Sequence, residues 1–458
     1  MCLSLSTYLS KVLENFNQKQ TINNTKDIVN QIITHKSIQL WKISKDKREF
    51  ERFSNLLNGK LKNVLDVSKL NASMQSTNLQ EINGKYSALI LHDPSDIRKK
   101  YSEKMEHIGW VKDENGKWIR GYRSFNSVWL DNCSKQLHLL ANTPYSNQDP
   151  DYVSKKELQD YEKGKLAGTD RAKEIERALS NIDNHNLSTI TRNQLASIHT
   201  AIRLKNTTCV ITHVLDREFV DFALFDFIDQ DLEDDFIVRL KRSNLSNEHT
   251  INEKGNQIRL RLSQKKDWKH RTTIDYKKIQ FKKKVYHNAR ADFSWDTVVL
   301  DSSIFWVVRI RFYDSQGRRI FKDDMLLITN KKVRTETDAL FIWQQYMKRM
   351  KIEGVFRFCK QVLGWEEFLV RDFELIKNLI CLCFFVGGYF YEMEDELIKD
   401  HTIQWIAELG GGKGKVTRYY FLEGIKNLLI MKKTQAYIKN NNISKQQLED
   451  AYELFTLQ

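Results

Sequence analysis

Tyr346, Arg349, Glu353, Arg357 and Lys360 are the residues whose types and spacing point most directly to chemistry. At 3.6 residues per turn they fall at about 0, 300, 340, 20 and 320 degrees on a helical wheel, a narrow cationic face with one carboxylate at its centre. Phe341, Ile342, Met350, Ile352, Val355, Phe356 and Val362 cover much of the remaining circumference, which predicts a helix packed on several sides. A packed helix that keeps one side for Tyr, Arg, Glu, Arg and Lys faces an anion. A solvated face with spaced ion pairs would have a similar composition.

Two acids upstream enlarge the set. The apolar run 86–92 (YSALILH) ends at Asp93, and Pro94 is expected to stop ladder bonding there, leaving Asp93 at the carboxyl edge of a strand. A second apolar run, 208–215 (TCVITHVL), ends at Asp216. One acid after a strand is an ordinary turn residue. Two of them, followed by a cationic helix bearing Glu353, can gather three carboxylates from distant sequence. Such a set suits phosphodiester cleavage, in which two Mg²⁺ ions about 3.5 to 4 Å apart activate the attacking oxygen and stabilise the leaving one. Hard cations prefer carboxylate oxygens.

Tyr346, two residues, Arg349, three residues, Glu353, six residues, Lys360: this spacing resembles the signature of insertion-sequence transposases with a DDE active site, in particular insertion-sequence family four, whose members cut DNA through a hairpin. The resemblance implies an α/β protein with an RNase H-like catalytic core, a β-rich insertion within that core, and helical N- and C-terminal regions. It implies that Asp93 ends the first core strand, that Asp216 ends the fourth, and that Glu353 projects from a helix after the insertion. All three would be catalytic ligands of two Mg²⁺ ions, for which Mn²⁺ substitutes. Tyr346, Arg349 and Lys360 would hold the transposon-end backbone near the cut, Arg357 shares their face, and Arg239 in FIVRLK would face the same DNA. The implied partners are double-stranded DNA, as transposon ends and target, and a second copy of the chain in a synaptic homodimer. Some relatives carry a Trp at the start of the strand before the signature, stacked on a flipped base; here that place falls to Met325. An inactive or repurposed DNA-binding relative, or an RNase H-like nuclease without strand transfer, are the competing readings. The three intact acids argue against the first and the full quartet against the second.

The rest of the chain must position these residues. Its 458 residues allow several domains, and a net charge of +14 favours a polyanionic partner. Residues 1–80 read as a helical DNA-binding domain. Its basic helix joins Lys45, Lys47, Arg48, Arg52, Lys60 and Lys62 to Phe50, Phe53, Leu56 and Leu57, a composition that a solvated helical collar would share. Residues 81–243 read as the first part of the core, beginning with three antiparallel strands, and 244–322 as the β-rich insertion. In the insertion, Trp268, Trp295, Trp306, Lys282, Lys283 and Lys284 could grip DNA, while sheet core explains the tryptophans equally well. Residues 323–400 complete the core, and the apolar run 379–391 in it, short for a membrane span, reads as a buried helix. Residues 401–458 read as a helical region for DNA contact and dimerisation. Lys413 and Lys415, among Gly410, Gly411, Gly412 and Gly414, contact phosphate or form a plain turn, and no Ser or Thr follows either lysine directly as a P-loop requires. Six cysteines without zinc spacing, and no secretory leader pattern, are read as reduced thiols of a cytoplasmic, nucleoid-associated protein without a membrane segment.

Overall fold

Pro94 does not end its strand. β1 runs from Ser87 to Arg98, so Asp93 stands in mid-strand rather than at the expected carboxyl end. Backbone polarity explains why a proline is tolerated there. The Tyr86 carbonyl accepts from Val210 on a neighbouring strand, so even-numbered backbone groups of β1 point to that neighbour, and residue 94 is even. Pairing on that side ends at Leu91, and the donor that proline lacks falls where no partner strand remains.

In the computed structural model, residues 5–13, 16, 18–58, 65–181, 185–241, 245–251, 257–281, 284–300, 303–393 and 401–453 are described. Cys2, Lys60, Lys62, Lys282 and Lys283 lie outside the described residues. The chain divides into two compact units, residues 74–356 and residues 1–73 with 357–458.

Unit 74–356 is a mixed α/β structure. After β1 come β2 (Gly109–Lys112), β3 (Trp118–Leu130), β4 (Leu137–Tyr145), β5 (Val210–Leu215) and β6 (Asp235–Arg239). They are followed by β7 (Leu245–Ile251), β8 (Gln257–Arg261), β9 (His270–Phe281), β10 (Lys284–Leu300), β11 (Ser303–Tyr313) and β12 (Met325–Thr329). One ten-stranded sheet runs β2-β3-β1-β5-β6-β12-β11-β10-β9, with β4 also on β3. β1 is antiparallel to β3 and parallel to β5, and β5 is parallel to β6. Thus β1, β3 and β4 form an antiparallel start, and a crossover through the helix Leu187–Arg203 returns the chain alongside β1. Segment 244–322 is β-rich, and β9, β10 and β11 extend this same sheet through β12, while β7 and β8 pair separately. Trp268 and Trp295 are buried and Trp306 is half-buried, which favours sheet core for the first two.

The signature segment is not one α-helix. Helix Glu336–Met347 passes into a 3-10 turn over Lys348–Lys351 before a second helix, Ile352–Val362, begins. A 3-10 residue turns about 120° rather than about 100°, so four of them rotate Glu353, Arg357 and Lys360 by about 80° relative to Tyr346. The narrow stripe expected of a single helix is therefore split in two.

In the other unit, the basic helix spans Lys47–Leu57, capped by the Asp46 side chain, which accepts from the Glu49 N–H at 2.8 Å. Phe53, Leu56 and Leu57 are buried, and Phe50 stacks on Trp41. Part of the cationic face is neutralised locally, since Arg52 pairs with Asp27 and Glu49. The apolar run belongs to helix Phe373–Glu392, which is long and apolar enough to cross a membrane by length and composition alone; 89% of its most apolar window is buried within the protein. It is a core helix, longer than the run of apolar letters suggests. Cys359, Cys381 and Cys383 are buried free thiols in this unit. Lys413 and Lys415 are exposed on the loop after helix His401–Leu409, where Gly411 and Gly414 take the left-handed backbone that the turn requires.

Candidate active site

Alternation along β1 sends Asp93 and His92 to opposite faces of the sheet, and each face builds a different structure. On the Asp93 side, the 3-10 turn delivers Arg349, whose Nη1 lies 2.7 Å from Asp93 Oδ1 and whose Nη2 lies 3.9 Å from Asp216 Oδ1. Asp216 follows directly on β5, at the strand's carboxyl end as expected. The Tyr346 hydroxyl donates to the same Asp216 oxygen at 3.2 Å. Asp93 is anchored through its backbone, because the opposing Asn126 amide donates to the Asp93 carbonyl at 3.1 Å.

Charge is unevenly matched here. Burial pushes the Asp93 carboxyl up to about 7; Arg349 opposes that rise, and the nearby charges of Asp216 and Glu353 add to it. One guanidinium serves two carboxylates, with a third in electrostatic range. Burial works against the Arg349 charge, but Asp93, Tyr346 and Asp216 outweigh it and hold the group firmly protonated. Burial also raises Tyr346, against the nearby Arg349. The Arg349 Nε–H is buried with no acceptor among the described residues. An unspent donor on a buried guanidinium is costly.

The donor chemistry fits a hard divalent cation. Asp93, Asp216 and Glu353 offer only carboxylate oxygens, and their mutual repulsion is what added positive charge relieves. Among the described residues, no three Asp, Glu, His or Cys side chains are gathered closely enough to enclose a single ion.

The other face of β1 carries a buried polar chain that apolar strand letters concealed. Gln194 Nε2 donates to Ser127 Oγ at 2.6 Å, and Ser127 Oγ lies 2.7 Å from His92 Nδ1. His92 Nε2 lies 2.9 Å from His213 Nδ1, and His213 Nε2 lies 3.2 Å from Asp234 Oδ2. With an ionised Asp234 accepting from His213 Nε2–H, His213 Nδ1 can accept from His92 Nε2–H and His92 Nδ1 from the Ser127 hydroxyl, which points every proton toward the carboxylate. Burial, then the neighbouring His213, holds the His92 pKa well below its ordinary value. Burial tends to raise Asp234, but bonds from His213 and His199 outweigh it and lower its pKa. Helix Leu187–Arg203 closes the chain with His199 and Arg203, 2.8 and 3.0 Å from Asp234. This network ties β3, β1, β5 and the approach to β6 together directly behind the aspartates.

The structure thus brings together Asp93, Asp216, Tyr346 and Arg349. Glu353 acts on Asp93 and Arg239 acts on Tyr346 through charge alone. Arg349, expected on DNA phosphate, engages the carboxylates. Arg357, Lys360, Lys413 and Lys415 belong to the other unit, where Arg357 is exposed and Lys360 pairs with Glu366 at 3.2 Å. Met325 opens β12 opposite Ile310 of β11. No protein-family model matches this chain, and no curated protein matches it.

Proposed function

We propose that the protein is a DNA transposase of the DDE type, which cuts an element at its terminal inverted repeats and joins it to target DNA through a hairpin. The observation that carries this reading is the meeting of Asp93, Asp216, Tyr346 and Arg349, from three sequence-distant segments, with Glu353 within electrostatic range of Asp93. Strand order lends support to an RNase H-like core: β1 bears the first Asp, β5 lies parallel to it and ends at the second, and the Glu follows after β12. If the four-residue β2 is set aside, β5 is the fourth strand of that core.

In this reading Asp93, Asp216 and Glu353 hold divalent cations, which supply Lewis-acid stabilisation and an activated oxygen nucleophile. The chain's own part is positional. Arg349 fixes the two aspartates relative to each other. Tyr346 steadies Asp216. Lys360 and Arg357, on the helix that begins beside Glu353, supply phosphate contacts that clamp bent duplex ends, with Arg239, Lys413 and Lys415 as further cations along the DNA. Two copies of the chain act on paired ends.

The test uses end-labelled duplex containing the sequences that flank the reading frame, with Mg²⁺ or Mn²⁺, resolved on denaturing gels. Nicks followed by hairpin or strand-transfer products are expected, and only with a divalent ion. Lys360→Ala should accumulate nicks at the expense of hairpins, whereas Arg349→Ala, which disrupts the carboxylates themselves, should lose both. Nicking by the wild type without any hairpin or joined product would favour the simple nuclease.

A further inference from the structure

The β2–β3 hairpin carries a second surface that the carboxylate site does not use. Cross-strand register sets Trp110 opposite Arg120 and Lys112 opposite Trp118. Residues directly opposite share a face, so the four side chains form a checkerboard of two indoles and two cations. Arg120 stacks 4.2 Å from the Trp110 ring centroid and Lys112 lies 5.1 Å from that of Trp118. Trp110 is nevertheless 42% exposed and Trp118 62% exposed. Core packing does not account for two such indoles on one solvated edge.

Charge on this face is available to a partner. Asp113 accepts from the backbone N–H groups of Asn115 and Lys117 within the turn, and Glu114 pairs with Arg98. Lys112 and Arg120 have no carboxylate partner among the described residues, and Lys117 is exposed beside them. The register also fixes where the surface lies. Arg120 follows in alternation from Asn126, which opposes Asp93, so the checkerboard shares the Asp93 face of the sheet. Six residues at about 3.4 Å each set it about 20 Å along the strands from Asp93.

We propose that Trp110, Lys112, Trp118 and Arg120 form a platform for unpaired single-stranded DNA, with bases stacked on the indoles and phosphates held by the cations. Flat apolar rings flanked by cations recognise a polymer of planar bases and anionic links without reading its sequence. The choice of DNA over RNA rests on the transposase reading, but the platform is tested without cleavage.

The experiment is fluorescence anisotropy of labelled oligothymidine in EDTA, using the full chain and W110A/W118A, with duplex DNA and oligouridine as parallel probes. The double variant should bind oligothymidine about tenfold or more weaker, while duplex binding and thermal unfolding stay unchanged. Lys112→Glu, at an exposed position, should weaken the same probe and carries the test if the double variant does not fold. Unchanged oligothymidine binding in a folded double variant overturns the proposal. So does an equal loss for duplex, which marks a general DNA surface; a preference for oligouridine, which marks an RNA site; or concentration-dependent self-association through this face with no oligonucleotide bound, which marks an interface between copies. Failure of hairpin formation alongside intact platform binding would count against the transposase reading alone.

Discussion

Asp93→Asn, Asp216→Asn and Glu353→Gln are each expected to slow divalent-ion-dependent strand cleavage by about a thousandfold or more, without weakening the binding of element ends. A metal at a phosphoryl centre supplies several kcal/mol of charge stabilisation, and about 1.4 kcal/mol corresponds to tenfold in rate. Amides keep shape and remove charge, which matters most at Asp93. Its 2.7 Å pair with Arg349 is largely buried, and truncation to alanine would leave the guanidinium unmatched and confound folding with catalysis. Asp216 and Glu353 are more open, so alanine serves there too. Single-turnover cleavage read beside a gel shift separates the two effects. Wild-type cleavage by any one variant removes that residue from the assignment.

Asp234→Ala is expected to cost about 3 kcal/mol or more of stability, a loss typical of removing one partner of a buried charged network. The Asp234 side chain is fully buried and receives His199, Arg203 and His213. Its removal orphans the end of the proton chain that begins at Gln194, and His213 and His199 lose their carboxylate acceptor. Asp234→Asn keeps one acceptor oxygen and should lose less. Urea unfolding should show a lower midpoint with little change of slope. Because His92 and His213 lie next to or near the strand positions of Asp93 and Asp216, a folded Asp234→Asn protein should also cleave more slowly. An unfolding midpoint for Asp234→Ala equal to that of the wild type would show that the network carries no load.

The parts legible in the sequence were those set by local pattern. The runs before Asp93 and Asp216 announced two strands, three successive β stretches announced the antiparallel start, and the polar stripe drew attention to Tyr346, Arg349 and Glu353. What stayed hidden depends on partners far along the chain. Pro94 continues its strand only because β5 has already left that side of β1. The 3-10 turn at Lys348–Lys351 has no marker such as Pro, and it is what directs Arg349 to the aspartates. His92 and His213 sit within apolar runs and read as strand letters until the crossover helix supplies Gln194, His199 and Arg203. Trp110 and Lys112 alternate onto one face of β2, and Trp118 and Arg120 onto one face of β3. Only the register of the hairpin shows that the two faces are the same one.

The proposed holding of divalent cations by Asp93, Asp216 and Glu353 is tested by iron-dependent cutting of the polypeptide. Fe²⁺ with ascorbate and peroxide generates radicals that cleave the backbone only near the bound ion, so fragment ends report its neighbours without any DNA substrate. Cuts are expected close to residues 93, 216 and 353, competed by excess Mg²⁺ and abolished at all three positions by Asp216→Asn. Cutting elsewhere, or an unchanged pattern in Asp216→Asn, would contradict it.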